Sequence, residues 1–445
     1  MRIVHLTAGT GAYFCGSCMR DYDLVAGLRR LGHEVLIVPM YLPPVLEEGY
    51  GDGHGDENEC PIFFGGINVY LQQKSWLFRH TPRWFDRLFD GRRLLTWASG
   101  KMHMTSPRDL GEILLSMLDG DDGMQRKEVR TLARFLAQRG PWDIISVSNA
   151  MLMGVAPYLR VALQPKAVIC TLQGEDSFLD SLQEPWRTQA WKRLEQVLAA
   201  ADMVVPVSKY YGEVMAKRLP SLAAKMEVVH NGIELNGYQP ADEPPQIPTL
   251  GYLARQHPLK GLGVLVEAFI ALAKRPHLQH LRLRVGGSAT PEDEIYVDSL
   301  RDKLSAAGLE GRAQFLPNLT REAKQELLRS LSVLSVPATY GEAFGMYVIE
   351  ALACGVPVVQ PNSGAFPELI EATGGGIISE QDDALSLADS IDRLLSDPIR
   401  ARVMGGHGRA VVLERFTADA MAQRFAALCM QELLKRGSRE RTGVR

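Results

Sequence analysis

Short apolar runs that end at glycine or proline alternate with helical patterns along most of this chain, and that alternation constrains its fold more than any other feature. It is the mark of βαβ units, in which helices connect the strands of a parallel sheet. The opening unit is the clearest. It reads as a strand over Ile3–Leu6, a glycine loop over Gly9–Gly16, a helix over Tyr22–Leu31 stopped by Gly32, and a strand over Val35–Val38. Further strands are expected at Ile144–Val147, Ala167–Cys170, Met203–Val207 and Met226–Val229. Residues 239–248 then hold four prolines and two acidic residues in ten positions, the texture of an extended linker. A second series follows, with strands expected at Thr249–Leu253, Leu281–Val285, Ala313–Leu316, Ser332–Val336 and Val356–Gln360.

Two such series in 445 residues predict an α/β protein of two doubly wound, Rossmann-like domains facing across a cleft. The first is expected over residues 1–240, with a C-terminal helix at about 417–436 returning to it, and the second over 241–416. Residues 41–140 break the alternation and read as an insertion. Within it, 74–101 carries Trp76, Phe78, Trp84, Phe85, Phe89 and Trp97 among Arg79, Arg83, Arg87, Arg92 and Arg93, against only Asp86 and Asp90. That pattern fits an acceptor-side insertion packed on the first domain more readily than the alternative, a peripheral contact with an anionic membrane surface.

Charge and cysteine content narrow the function classes. Lys plus Arg number 49 and Asp plus Glu 52, a net charge of −3, which gives no electrostatic case for nucleic acid as a partner. The six cysteines are scattered and make no disulfide framework. Cys15 and Cys18 form a CxxC, but no second pair stands at zinc-site spacing, so small residues in a tight loop or a redox dithiol are the readings left. No apolar run reaches the length of about 18 residues that a membrane-spanning helix needs. The N-terminus lacks the pattern of a signal peptide, and a cytoplasmic location, with peripheral contact at the inner membrane surface as a variant, is the expectation.

Ligands of open α/β sheets bind beyond the carboxyl ends of the strands. Four such ends carry suitable residues. Between Pro337 and Pro357, Glu342 precedes a helix expected to start near Phe344–Gly345, and Glu350 lies along its side. Eight positions at the helical rise separate the carboxylates by roughly 12 Å, more than the ~5–10 Å of a glycosidase pair. The spacing suits a ligand lying along the helix, its anionic middle at the first turn and its hydroxyls at either carboxylate. Arg255, just after a strand, and Lys260, expected to open the next helix, are the fork and point cations that a diphosphate needs. The first glycine loop fails as a dinucleotide fingerprint, because Gly11 has no glycine three residues on. This weakens a nicotinamide dehydrogenase reading. Gln173, Gly174 and Glu175 follow a strand of the first series and either line the acceptor side or cap a helix.

The stretch from Glu342 to Glu350, followed by Ala351-Leu-Ala-Cys-Gly-Val-Pro-Val-Val, resembles the E-x7-E signature of the family 4 retaining glycosyltransferases (glycosyl transferases group 1), which have the GT-B fold. Cys15-Gly16, Gly32-His33, Val207-Ser208, His230-Asn231-Gly232, Arg255 with Lys260-Gly261, and Pro367-Glu368 agree with it in order and spacing. The resemblance covers most of the chain outside 41–140. It implies that Glu342 holds a donor-sugar hydroxyl, and that the backbone of Phe344, Gly345 and Met346 lies against sugar and phosphate. It further implies that Glu350 binds the ribose, that Arg255 and Lys260 hold the diphosphate, and that the Phe315–Leu319 segment, Leu316 and Leu319 included, meets the base. Gly16 would approach the phosphates from the first domain. The family needs no metal and no cofactor beyond its nucleotide diphosphate sugar. Gln173 stands where many members have histidine. It keeps a hydrogen bond but carries no proton-transfer chemistry. The Ser148-Asn149 pair likewise lacks the histidines common at its position.

The expectation is therefore a retaining, hexosyl-type transferase, working by metal-independent front-face attack on a glycan, lipid-linked or small-molecule acceptor. A sugar-nucleotide 2-epimerase of the same fold and a non-catalytic sugar-nucleotide-binding protein are the competing readings.

Overall fold

The computed structural model describes residues 1–9, 16–41, 63–64, 69, 71–73, 78 and 107–442. Apart from Phe78, the basic aromatic stretch 74–101 lies outside them, as do Cys15 and the interior of the Gly9–Gly16 loop. Two compact units emerge: Met1–Val207 with Tyr211–Val229 and Met421–Arg445, and Ser208–Tyr210 with His230–Ala420.

The first unit is built on a parallel sheet of β1 (Arg2–Thr7), β2 (Glu34–Pro39), β3 (Ile144–Val147), β4 (Ala167–Leu172) and β5 (Met203–Pro206), in the order β2-β1-β3-β4-β5. Every residue of β3, β4 and β5 is buried, as strands covered on both faces must be. Helix residues Tyr22, Val25 and Leu28 pack one region of its core, and Met421, Phe425 and Cys429 from the chain's last helix join them.

The second unit has a six-stranded parallel sheet: β6 (Thr249–Leu253), β7 (Arg282–Gly287), β8 (Ala313–Pro317), β9 (Val333–Leu334), β10 (Val358–Pro361) and β11 (Gly376–Ser379). Its order, β11-β10-β9-β6-β7-β8, reverses between β6 and β9, where Gly251 pairs Leu334. A reversal sends the connections on either side in opposite directions and leaves a crevice beyond the carboxyl ends of the two strands. The residues that follow those ends are Arg255 to Lys260 and Pro337 to Glu342.

Several elements differ from expectation. The first helix begins at Gly16 rather than Tyr22, because its opening residues are small or polar and leave no apolar period to read. Met226–Val229 forms only an isolated bridge, Met226 to Val204. Lys260 ends a 3₁₀ turn, Pro258–Lys260, and the helix starts one residue past Gly261 at Leu262. The strand β11, unforeseen, is a four-residue edge strand that follows a run of glycines. No described helix is long and apolar enough to cross a membrane.

Candidate active site

The two loops at the switch point of the second sheet are locked together. Thr339 N–H donates to Leu259 O at 3.0 Å. Gly261 has φ +73°, and a Cβ there would come within 1.7 Å of Pro337 O. The buried Tyr252 hydroxyl sits 2.9 Å from Arg255 O and 3.3 Å from Lys260 O, holding the turn from below. This frame aims Lys260 at Glu342: Nζ lies 2.5 Å from Oε2.

Two phenols join that pair. Lys260 also donates to the Tyr340 hydroxyl, while Tyr340 and Tyr347 hydroxyls donate to Glu342 Oε2 at 3.1 and 3.0 Å. Burial works against the Lys260 charge, but the Glu342 carboxylate and Tyr340 outweigh it and raise the pKa above the ordinary lysine value. Burial, then the Glu342 charge, push Tyr340 up to about 12. Lys260 is therefore an ammonium and Tyr340 a neutral phenol at any physiological pH.

The helix Met346–Ala353 starts immediately beyond this cluster. Its N-cap, Gly345, has φ +91°, and no side chain caps the first turn. Val348 N–H turns back to Gly345 O at 3.0 Å, while the Met346 and Tyr347 N–H groups have no partner among the described residues, the condition for an anion site at a helix start. The Phe344 ring is buried, within 6.3 Å of the His230 and Phe416 rings, and can serve a ligand only through its main chain. Further along the helix, Glu350 Oε1 accepts from Tyr238 OH at 2.9 Å and from Lys324 Nζ at 2.7 Å.

Arg255 is held by a group with its own structural task. Its Nε and one terminal nitrogen contact Asp293 at 3.1 and 3.2 Å, and Asp293 closes a capping box with Thr290 at the start of the Pro291–Ala306 helix. Burial raises the Asp293 pKa, but Arg255 and the Thr290 N–H overcome it and leave it below the usual carboxylate range. The other terminal nitrogen of Arg255, NH1, has no partner among the described residues. At the far edge, Gly286 and Gly287 of β7 pair with Leu316 and Pro317 of β8. The left-handed Asn318 (φ +54°) clamps Ala289 through its N–H and C=O, each at 3.1 Å. Glycines on the neighbouring strand put no side chain beside the main chain expected to meet a base.

In the first unit, the Gln173 amide donates to Ser148 O at 2.7 Å and to Asp21 Oδ1 at 3.3 Å. Both partners are acceptors, which fixes the amide orientation and leaves Oε1 as its unengaged atom. Glu175 is buried, and its oxygens accept from Ala150 N, Gln173 N, Gly174 N and the Tyr211 hydroxyl at 2.9–3.1 Å. Burial raises its pKa despite those donors. It braces the loop from inside and points nothing outward. Gly16 is exposed at the start of the first helix. Cys18 is buried with Sγ 3.1 Å from Gly9 O.

Residues 239–411 match the family model for glycosyl transferases group 1, and residues 118–236 match that for glycosyltransferase family 4. Glycosyltransferase models thus match stretches of both units. It is 25% identical over 399 residues to a D-inositol 3-phosphate glycosyltransferase of Mycobacterium sp. (strain JLS), covering 83% of this chain and 84% of that protein. A D-inositol 3-phosphate glycosyltransferase of Rhodococcus opacus (strain B4) is 27% identical over 215 residues, 46% of this chain and 48% of its own length, so this chain spans about half of that relative. The structure of HepE from Anabaena in complex with UDP and glucose superposes with a TM-score of 0.68 at 16% identity, over 97% of this chain and 100% of that one. The fold is GT-B.

Within the second unit, Lys260 and Glu342 meet directly, whereas Arg255 and Glu350 each stand beside partners the motif does not contain. Those partners are Asp293 for Arg255, and Tyr238 and Lys324 for Glu350; no spacing in the sequence ties them, or the Tyr340 and Tyr347 hydroxyls beside Glu342, to these residues. Asp293 alone left a trace, as the N3 residue of the Thr290-Pro-Glu-Asp box.

Proposed function

We propose that this protein moves a sugar from a nucleoside diphosphate sugar to an acceptor with retention of anomeric configuration, by front-face attack and without a metal ion. The observation that carries the reading is the Lys260–Glu342 pair, at 2.5 Å, set at the switch point beside the uncapped first turn of the Met346–Ala353 helix. The diphosphate lies over that turn. Lys260 has a third N–H beyond those given to Tyr340 and Glu342, and Arg255 has its open NH1 edge; both reach the phosphoryl oxygens. Glu342 takes a sugar hydroxyl and Glu350 the ribose. As the bond from the anomeric carbon to the diphosphate oxygen breaks, the acceptor oxygen bonds to the same face. Its proton passes to the leaving diphosphate, whose charge the two cations and the helix amides stabilise.

The curated relatives named for D-inositol 3-phosphate make a phosphorylated cyclitol the first acceptor to try, and HepE makes UDP-glucose the first donor. Thermal shift across uridine, guanosine and adenosine diphosphate sugars identifies the donor. With it, Arg255→Ala and Lys260→Ala each lower turnover by about a hundredfold or more, as loss of a preorganised charge on a leaving group does. Near-normal turnover in both would refute the assignment. Incubation with donor alone, followed by product analysis, separates transfer from 2-epimerisation.

A further inference from the structure

Glu342 and Glu350 share an arrangement that no sequence motif describes. At each, one carboxylate oxygen is occupied by a lysine and by tyrosine hydroxyl, while the other has no partner among the described residues. Glu342 Oε2 accepts from Lys260, Tyr340 and Tyr347, and Glu350 Oε1 accepts from Lys324 and Tyr238. The direction of the bonds around Tyr340 is forced. An ammonium only donates, so Tyr340 oxygen accepts from Lys260 and its own proton goes to the carboxylate. Three donors on Glu342 Oε2 exceed its two lone pairs, and rotation of the carboxylate would break all three at once.

We propose that Tyr347 with Tyr340, and Tyr238, are positioning residues that each fix one carboxylate of the donor site so that a single oxygen is presented to the ligand. This rests on the reading of Glu342 as the sugar end and Glu350 as the nucleoside end. The tyrosines do not touch the ligand. They set where the acceptor oxygen stands, and since hydroxyl recognition depends on tenths of an ångström, loosening the carboxylate costs affinity at that end only. Tyr347 is the cleaner probe at the sugar end. Its ring is packed near Phe366, at 6.2 Å between centroids, so removal of the hydroxyl leaves the packing in place.

The test uses the full chain, UDP and UDP-glucose, with the guanosine/mannose and adenosine/glucose pairs substituted if wild type prefers them. Tyr347→Phe loses about tenfold in affinity for the sugar nucleotide and none for the free nucleoside diphosphate, as expected for one hydrogen bond to a charged group. Tyr238→Phe weakens both ligands by the same factor. Because Tyr347 acts through Glu342, Tyr347→Phe in a Glu342→Gln background adds less than about twofold. Melting midpoints of the ligand-free variants stay near wild type. If wild type binds donor and Glu342→Gln weakens it, but Tyr347→Phe leaves the ratio of the two affinities unchanged, the positioning role is overturned and the site stands. Additive losses in the double variant overturn it as well. If wild type is stabilised by none of the sugar nucleotides, the reading of the site itself falls, and this inference with it.

Discussion

Glu368 gathers three donors of the second unit onto one carboxylate: Lys209 N and Tyr210 N, each at 3.1 Å, and His230 Nε2 at 2.6 Å. Burial alone would raise its pKa, but the His230 contact and the two N–H groups pull it below the ordinary value of about 4.5. A depressed native pKa means that ionised Glu368 adds stability above that ordinary value and gives it up as pH falls through the native one. Glu368→Ala strands the donors and costs about 1–3 kcal/mol at neutral pH by chemical denaturation. The gap between wild type and variant narrows below about pH 4.5. An equal gap at pH 3.5 and pH 7 would show that the carboxylate charge is not what these donors need. At this scale the sequence singled out the candidate residues whose spacing is itself a pattern, Glu342, Glu350, Arg255 and Lys260. It did not show the groups that stand beside them, because Tyr340 meets Lys260 across 80 positions and Tyr238 meets Glu350 across 112. Tyr347, an apolar-face residue of a buried helix, looks like core until its hydroxyl is located.

Two strands were legible to the residue: β6 occupies the expected Thr249–Leu253 and β3 the expected Ile144–Val147. β9 shrank to Val333–Leu334, because the chain leaves the sheet early to reach Pro337 and start the site loop. What composition cannot show is which glycines the site depends on. Gly364 is one. It has φ +63°, and a Cβ there would stand 2.4 Å from Glu342 N and 2.6 Å from Glu342 O. Its neighbour Ala365 N–H donates to that same carbonyl at 2.9 Å. Gly364→Ala must therefore push the backbone of Glu342, and so its carboxylate, off the Lys260 and Tyr347 donors. The left-handed conformation costs about 1–2 kcal/mol, a modest loss of melting temperature, while donor affinity falls tenfold or more by calorimetry. A variant with the stability loss but wild-type affinity would mean the loop absorbs the added carbon without moving Glu342.

At the scale of the whole molecule, charge is balanced globally and again at the site. The chain carries a net charge of −3. Each site cation stands within hydrogen-bond reach of a carboxylate: Lys260 with Glu342 at 2.5 Å, Lys324 with Glu350 at 2.7 Å, and Arg255 with Asp293 at 3.1 Å. These separations are far inside the screening length of ~10 Å at 0.1 M salt, so at longer range each pair is a dipole rather than a free charge. On the proposed reading, a dianionic diphosphate is then drawn in by the N–H groups of the helix start and by the unoccupied donors of paired cations, with little long-range steering. Donor affinity accordingly changes by less than about threefold between 50 and 200 mM salt, measured by calorimetry at constant pH. A bare cationic pocket would respond otherwise, losing tenfold or more over that range. Such a loss here would mean that the pairs open before the diphosphate arrives, and that Lys260 and Arg255 meet it as free charges.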